Sequence, residues 1–404
     1  MDAQPLYDLA PAARLMLMGV VIALGPLAWV WLRNRDAEPA RRLRTLTLLT
    51  LFLTFDLVLF GAFTRLTDSG LGCPDWPGCY GNASPVGARA EITAAQTAMP
   101  TGPVTHGKAW IEMIHRYLAT GVGVLILTLA VTTWLQRKRN QGGVPVSPWW
   151  PTLTLVWVCV QGAFGALTVT MKLFPAIVTL HLLGGLALLA LLCVQAVRYA
   201  QAWHETTPVP LSATTRWLLM ATFAAVWMQV ALGGWVSTNY AVLACQGFPT
   251  CNGQWWPSMD AVHGFTLLRH LGQTGQGGAL PFDALVAIHM AHRLFAVVVV
   301  LALVALAVAL RRSGEADARR HAMALGALLA WQLASGLSNV VLGWPIVAAL
   351  AHSAGAAGLV AVLVSLWARL RLAPGVTALA SSAASGARRP PAGGPVTAGR
   401  PSAS

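Results

Sequence analysis

Residues 283–310 read DALVAIHMAHRLFAVVVVLALVALAVAL, and this stretch decides the fold class. Its charged residues lie near its start, and from 294 to 310 every residue is apolar. A helix that crosses a membrane needs about 20 mostly apolar residues, because the hydrocarbon core is about 30 Å thick. A lone strand would leave its backbone groups unsatisfied in lipid, so we expect a membrane-spanning helix.

Eight further segments have the same apolar character. The composition agrees, since 56% of the 404 residues are hydrophobic and only 10% are charged, against roughly 25% charged residues in soluble domains. We therefore predict an all-α integral membrane protein in which nine helices contact lipid. The predicted spans are residues 14–32, 45–64, 110–134, 149–170, 177–199, 214–236, 283–310, 322–343 and 346–369.

The formal net charge of +13 raises the question of nucleic-acid binding. Most of the 27 Lys and Arg residues fall in alternate connecting segments, beginning with the arginine-rich segment 33–44 and ending with the C-terminal tail. Such a bias follows the positive-inside rule of membrane proteins. The charge therefore indicates topology, with an external N-terminus and a cytoplasmic C-terminus, and argues against a nucleic-acid partner.

The two halves of the chain repeat one pattern of rare residues. The repeat unit contains four helices, an even number, so both halves should cross the membrane in the same direction. We expect two four-helix bundles related by an axis along the membrane normal, as in parallel repeats. At an offset of 172 residues, Gly61, Cys73, Pro77, Cys79 and Gly81 match Gly233, Cys245, Pro249, Cys251 and Gly253, and His115 and His181 match His292 and His352 at similar offsets.

This repeat divides the chain into four predicted parts. Residues 1–44 form an extra N-terminal transmembrane helix and a basic cytoplasmic loop. Residues 45–200 and 201–370 form the N-terminal and C-terminal four-helix halves. Residues 371–404 lack aromatic residues and are rich in Ala, Gly, Pro and Ser, a composition typical of a disordered tail.

Four histidines lie inside predicted spans that run inwards from the external side: His115, His181, His292 and His352. Polar residues at such depth are costly and usually functional. At 1.5 Å per residue, most of them lie roughly 8 to 10 Å below the outer helix ends. Two imidazoles that face each other across a bundle are the ligands that a six-coordinate haem iron needs. The sequence therefore predicts one haem-type site in each half.

The halves differ three residues before the first histidine of each pair. Glu112 precedes His115, whereas His289 precedes His292. A carboxyl group beside a haem can serve as an acid, a base or a stabiliser of charge. This difference predicts a reactive N-terminal site and a C-terminal site that only holds a cofactor. A plain ion pair between Glu112 and Arg116, one helical turn later, is the alternative.

Charged residues near the external edge have two interpretations. They would either bind haem propionates or reach lipid head groups with their long side chains. Asp56, in the middle of a span, has no assigned role beyond a guess at proton movement. The arginines in question are Arg65, Arg116 and Arg293.

Two cysteine pairs with the same C-x5-C spacing fall in external loops. Such a spacing allows a disulfide in a turn-rich segment, and an oxidising exterior favours one. We expect Cys245–Cys251 to be a structural staple. For Cys73–Cys79, a staple and a redox-active pair that passes electrons towards the haem both remain open.

Several motifs resemble the haem A synthase family over about residues 45–370. They are GAFTRLTDSGLGCPDWP at 61–77, EMIHR at 112–116 and HMAHR at 289–293, together with His181 and His352. The resemblance implies an oxidoreductase that converts haem O to haem A for cytochrome oxidases, oxidising a ring methyl through an alcohol and a hydrated aldehyde to a formyl group. The cysteine pairs resemble those of one bacterial branch, and the span at 14–32 is an addition to the family's eight helices.

The same resemblance implies roles for individual residues. His115 and His181 would ligate the iron of the substrate haem with Glu112 beside the reacting methyl, and His292 and His352 would ligate a permanent haem b. Two chemical routes stay open. Either Glu112 stabilises a developing cation or positions an attacking water, or oxygen chemistry takes place at an iron that one histidine has left.

The implied setting is the bacterial inner membrane. The implied partners are the farnesyltransferase that produces haem O and cytochrome oxidase assembly factors, with a homo-oligomer left open. Two other functions compete with this one. A di-haem b electron carrier that oxidises quinol or thiol would use the same histidines but needs no glutamate in one half only, and a permease would need a polar central pathway.

Overall fold

The computed structural model describes residues 10–139, 146–203 and 206–371. Within these residues the chain is α-helical and contains no β-strand, only isolated bridges in the loops. The predicted disordered tail lies almost entirely outside the described residues. The helices are α1 Ala10–Arg33, α2 Pro39–Leu66, α3 Arg89–Ala98, α4 His106–Arg139, α5 Trp149–Thr170, α6 Pro175–Ala202, α7 Ala213–Thr238, α8 Ala261–Gly264, α9 Phe282–Arg312, α10 Ala316–Val341 and α11 Ile346–Ala368.

Nine of these helices, all except α3 and α8, are long and apolar enough to cross a membrane. For the described part of the chain, this confirms the predicted all-α membrane protein and its nine spans. Several helices extend beyond the predicted apolar core. For example, α4 continues to Arg139, because the basic residues of its last turn interact favourably with the helix C-terminus.

The spanning helices pack as two groups of four. In the first group α4 and α6 each contact α2 and α5, and in the second group α9 and α11 each contact α7 and α10. The groups meet through α2 and α6 on one side and α7 and α11 on the other. The symmetry axis and the domain boundaries inferred from the sequence repeat remain predictions.

Large aliphatic clusters fill the end of each group that carries the basic connecting segments. In the second group the cluster includes the buried Leu219, Leu303 and Leu363. In the first group it includes Leu129 and Tyr199. These tightly packed ends leave the opposite ends of the bundles, which we predict to be external, for polar residues, and the intramembrane histidines lie there.

Helix α1 belongs to neither group. It packs along α4 and touches α2. Its buried positions, among them Leu15, Gly19, Ala23 and Val30, form one stripe along the helix. Large side chains on its other faces are exposed, as expected for a helix surrounded by lipid on most sides.

Candidate functional site

In the first group, both histidines lie against glycines of the neighbouring helix. A Cβ built on Gly61 of α2 would be 3.0 Å from His115 Nε2, and one built on Gly165 of α5 would be 3.4 Å from His181 Cε1. The His115 ring also stacks on Phe60, with ring centroids 6.3 Å apart and planes 9° apart. His115 and His181 lie on α4 and α6, and both helices pack against α2 and α5, so both imidazoles belong to one bundle.

The second group repeats this arrangement. A Cβ on Gly233 of α7 would be 2.9 Å from His292 Cε1, and one on Gly336 of α10 would be 3.2 Å from His352 Cε1. His292 and His352 lie on α9 and α11, and both helices pack against α7 and α10. Each imidazole therefore occupies space that any side chain on the facing helix would take, and this explains the four glycines.

Neighbouring polar groups hold the imidazoles of the second group in place. The Gln229 amide Nε2 lies 3.1 Å from His292 Nδ1 and donates to the His292 carbonyl at 3.0 Å. Ser335 Oγ lies 3.1 Å from His352 Nδ1. Hydrogen bonds of this kind fix the orientation of ligand histidines in metal sites. In the first group, the buried Nδ1 of His181 has no hydrogen-bond partner.

These features fit a planar group held between two imidazoles. Each ring packs directly against a glycine of the neighbouring helix, and the buried Nδ1 of His181 has no hydrogen-bond partner among the described residues. A bare metal ion fits less well, because the described residues include no cluster of three or more His, Cys, Asp or Glu side chains that could hold one. A haem needs only the two axial ligands from the protein.

Glu112 forms a buried network beside His115. Its side chain is 5% exposed. Oε1 accepts a hydrogen bond from Arg116 Nη2 at 2.5 Å, and Oε2 accepts one from the backbone N–H of Cys73 at 2.7 Å. The ion pair that the sequence left as an alternative is therefore present. It does not stand alone, because the carboxylate also binds the loop that the first disulfide closes.

Arg116, which pairs with this carboxylate, also binds the same disulfide loop. Its Nη1 donates to the carbonyls of Asp75 at 3.0 Å and Gly78 at 2.6 Å. Both terminal nitrogens of the guanidinium therefore have acceptors within the protein. A role for Arg116 in binding haem propionates stays a prediction, and it would have to share these donors.

The second group places a histidine where the first has the glutamate. His289 is buried, and its Nδ1 lies 2.9 Å from the carbonyl of Ala241. Arg293 binds its own disulfide loop through the carbonyls of Cys245 at 2.7 Å and Gly247 at 3.0 Å. Among the residues that the structure describes, Arg293 forms no ion pair. The loop contacts are thus alike in the two halves, and the carboxylate is the difference.

The structure confirms both predicted disulfides. Cys73 and Cys79 are joined with a Cα–Cα distance of 4.9 Å, and Cys245 and Cys251 with one of 4.8 Å. All four cysteines are buried. Whether the first pair is redox-active or only structural remains open.

Arg65 joins the two halves. Its Nη2 donates to the carbonyl of Ser237 at 2.6 Å, and its guanidinium lies 3.9 Å from the centroid of the Tyr240 ring. The Tyr240 hydroxyl in turn donates to Asp68 at 2.5 Å. The sequence repeat contained the signal for this contact, because Arg65 and Ser237, like Asp68 and Tyr240, are 172 residues apart. Repeat-related residues meet where the halves touch.

The sequence did not predict the surroundings of two other charged residues, Arg269 and Asp56. Arg269, in the external loop of the second half, is only 2% exposed and donates to Asn239 Oδ1 at 2.6 Å. Asp56 lies on an exposed face of α2, and its role stays unassigned.

Comparison with known proteins identifies related chains. The family model for cytochrome oxidase assembly proteins matches residues 44–364, which contain all four histidines and both disulfide loops. A haem A synthase from Shewanella oneidensis is 36% identical over 318 residues, covering 79% of this chain and 93% of that protein. A haem A synthase from Caulobacter vibrioides is 27% identical over 346 residues, with 79% and 93% covered. One from Alkalihalophilus pseudofirmus is 26% identical over 221 residues, with 54% and 67% covered.

Proposed function

The chain belongs to the family of cytochrome oxidase assembly proteins, and we propose that it is a haem A synthase, which oxidises a ring methyl of haem O to the formyl group of haem A. The observation that carries the proposal is the buried Glu112 network in one half only. An electron carrier with two equivalent haems has no use for a carboxylate beside one of them. A methyl oxidation in which charge develops at the reacting carbon can use such a group.

We propose that the substrate haem O binds between His115 and His181. The glycine beside each ring and the unpartnered Nδ1 of His181 support this assignment. Glu112 lies one helical turn before His115 on the same helix, so its carboxylate is directed to the same part of the bundle. A methyl group at the porphyrin edge would then be the part of the substrate that lies near Glu112.

In the proposed reaction Glu112 stabilises positive charge on the substrate or positions a water molecule. The Cys73 N–H and Arg116 fix the two carboxylate oxygens in space, so the group needs no reorganisation when charge develops. From that position it would stabilise positive charge at the substrate methyl or orient the water that supplies the formyl oxygen. Conversion of the methyl group and one water to a formyl group releases four electrons and four protons, and the electrons would pass through haem b to an acceptor outside the protein. Arg116 offsets the cost of keeping the carboxylate charged in a buried site.

The second pair, His292 and His352, would hold a permanent haem b. The glycine beside each ring and the hydrogen bonds from Gln229 and Ser335 support this assignment. When bound, haem b would supply electron transfer. His289 leaves that site without a carboxylate, which suits a haem that is not itself oxidised.

The protein's setting follows from the family and from charge. The nine apolar helices make it a multi-pass membrane protein over the described residues. We place it in a bacterial inner membrane with the N-terminus outside, the C-terminus in the cytoplasm and both histidine pairs near the external side. Its proposed partners are the farnesyltransferase that makes haem O, other cytochrome oxidase assembly factors and the surrounding lipid.

Haem extraction tests the proposal. The protein is produced in cells that make haem O, purified, and its extracted haems are separated and assayed for the formyl-bearing product. We expect haem A from the unaltered chain, none from Glu112→Ala, and haem b from both. His289→Ala, at the matched position, is the control and should still yield haem A. An unaltered chain that yields haem b but no haem A, although supplied with haem O, would favour the di-haem electron carrier.

A further inference from the structure

Helix α1 lies wholly before the matched residues 44–364. We propose that it is a lateral wall of the Glu112 site, which holds the Cys73–Cys79 loop in place and shields its disulfide. The role of Glu112 in this inference rests on the proposed function. The packing of α1 and its test do not, because the test measures the disulfide and not the product.

Close backbone contact holds α1 against α4. A Cβ built on Gly19 would lie 2.3 Å from the Thr120 methyl carbon, and one built on Gly121 would lie 3.2 Å from Ile22 Cγ2. Small residues at matching positions allow two membrane helices to approach this closely. The contact lies about one turn beyond Arg116, on the helix that carries Glu112.

The outer end of α1 reaches the disulfide loop itself. Leu15 packs in one apolar cluster with Cys73 and Cys79. Pro11 Cβ is 3.4 Å from the position that a Cβ on Gly78 would take. Gly78 accepts the buried 2.6 Å hydrogen bond from Arg116. A chain of contacts therefore connects α1 to the loop, the loop to Arg116, and Arg116 to the carboxylate.

The second half shows what such a loop is like without this helix. Among the residues that the structure describes, the apolar cluster around Cys245 and Cys251 consists of residues of their own half, such as Val286 and Met290. The bond from Arg293 to Gly247 is exposed, whereas the bond from Arg116 to Gly78 is buried. Helix α1 thus adds cover to the half that contains the carboxylate. This cover keeps water from competing for the donors that hold Glu112.

Gly19→Leu tests the wall, because it forces α1 away from Thr120. Gly25→Leu is the matched control, since a Cβ at Gly25 meets nothing within 4 Å. Each purified full-length protein is treated with a water-soluble phosphine, free thiols are alkylated at intervals, and mass spectrometry follows the two disulfides separately. We expect Gly19→Leu to speed reduction of Cys73–Cys79 by about tenfold or more, as overpacking displaces the helix. Cys245–Cys251 should be unaffected, and Gly25→Leu should change neither disulfide.

Leu15→Ala provides a second route if Gly19→Leu does not accumulate. It removes apolar cover from the disulfide without a steric clash, and we expect reduction of Cys73–Cys79 to rise by about threefold, a smaller effect than that of displacement. A single symmetric peak on size exclusion in detergent checks that each variant is folded. Unchanged reduction of Cys73–Cys79 in these variants would overturn the proposal, and so would equal acceleration of both disulfides. If reduction of Cys73–Cys79 is faster in the variants but the unaltered chain forms no haem A, the role of α1 is supported and the proposed function is refuted.

Discussion

Helices α4 and α9 carry the same histidine–arginine pair, and in both cases the arginine fastens a disulfide loop through backbone carbonyls. They differ one turn earlier, where α4 has Glu112 bound to Arg116 and to the Cys73 N–H, and α9 has His289 bound to Ala241. The comparison teaches that one scaffold serves both halves. A single buried carboxylate, with its counter-ion already in place, distinguishes the proposed reacting site from the proposed holding site.

A large side chain in place of the glycine beside each histidine should disrupt one haem site and leave the other intact. This is the largest effect we expect. Gly61→Leu places a side chain where the His115 ring lies, and Gly233→Leu does the same at His292. Gly61→Leu should abolish haem A and keep haem b, while Gly233→Leu should lose haem b. Extracted haem per mole of protein is the measurement. Loss of haem b from Gly61→Leu would show that the sites are not separate.

Loss of Arg116 should destabilise the protein more than loss of Arg293, because only Arg116 is the counter-ion of a buried carboxylate. Arg116→Gln leaves Glu112 buried without its partner, which typically costs about 3–5 kcal/mol of stability. Both substitutions remove hydrogen bonds from an arginine to loop carbonyls, so the buried carboxylate left without its counter-ion is the difference between them. Thermal unfolding in detergent should therefore show the larger fall in Tm for Arg116→Gln. Equal falls would indicate that the charge of Glu112 is not supported by Arg116.

The contact between the halves should matter least. Tyr240→Phe removes the hydroxyl that donates to Asp68 and keeps the ring under Arg65. We expect a loss of about 1 kcal/mol or less, as for one partly exposed hydrogen bond, and haem A formation within about twofold of the unaltered chain. Haem A yield and Tm measure both. A collapse of haem A formation would show that the junction takes part in the reaction.

Much of this comparison was predictable from the sequence, because a segment that crosses lipid must satisfy its own backbone hydrogen bonds and needs about 20 apolar residues. The length of the apolar segments predicted every span, and the equal spacing of the cysteines predicted both disulfides. The ion pair between Glu112 and Arg116 was an open alternative, since residues four apart share a helix face. Each of these features depends on local spacing.

The features that were missed depend on tertiary structure. Nothing local to Arg116 or Arg293 indicates that they bind loop carbonyls, because that requires the loop to fold back over its helix. Arg65 was a candidate for propionates or lipid, and its contact with Ser237 follows only if the repeat is used to find residues at the junction. The packing of α1 was not predicted, because its contact face and its lipid face are both apolar and only Gly19 and Ala23 mark the contact by their small size.

The most direct test of the account compares His115→Met with His292→Met in one spectrum and haem analysis. The two histidines occupy matched positions in the two halves, and each lies over its own glycine. We predict that His292→Met loses stably bound haem b, and that His115→Met keeps haem b but forms no haem A. Loss of haem b from His115→Met, or its retention in His292→Met, would contradict the assignment of one site to chemistry and the other to a permanent cofactor.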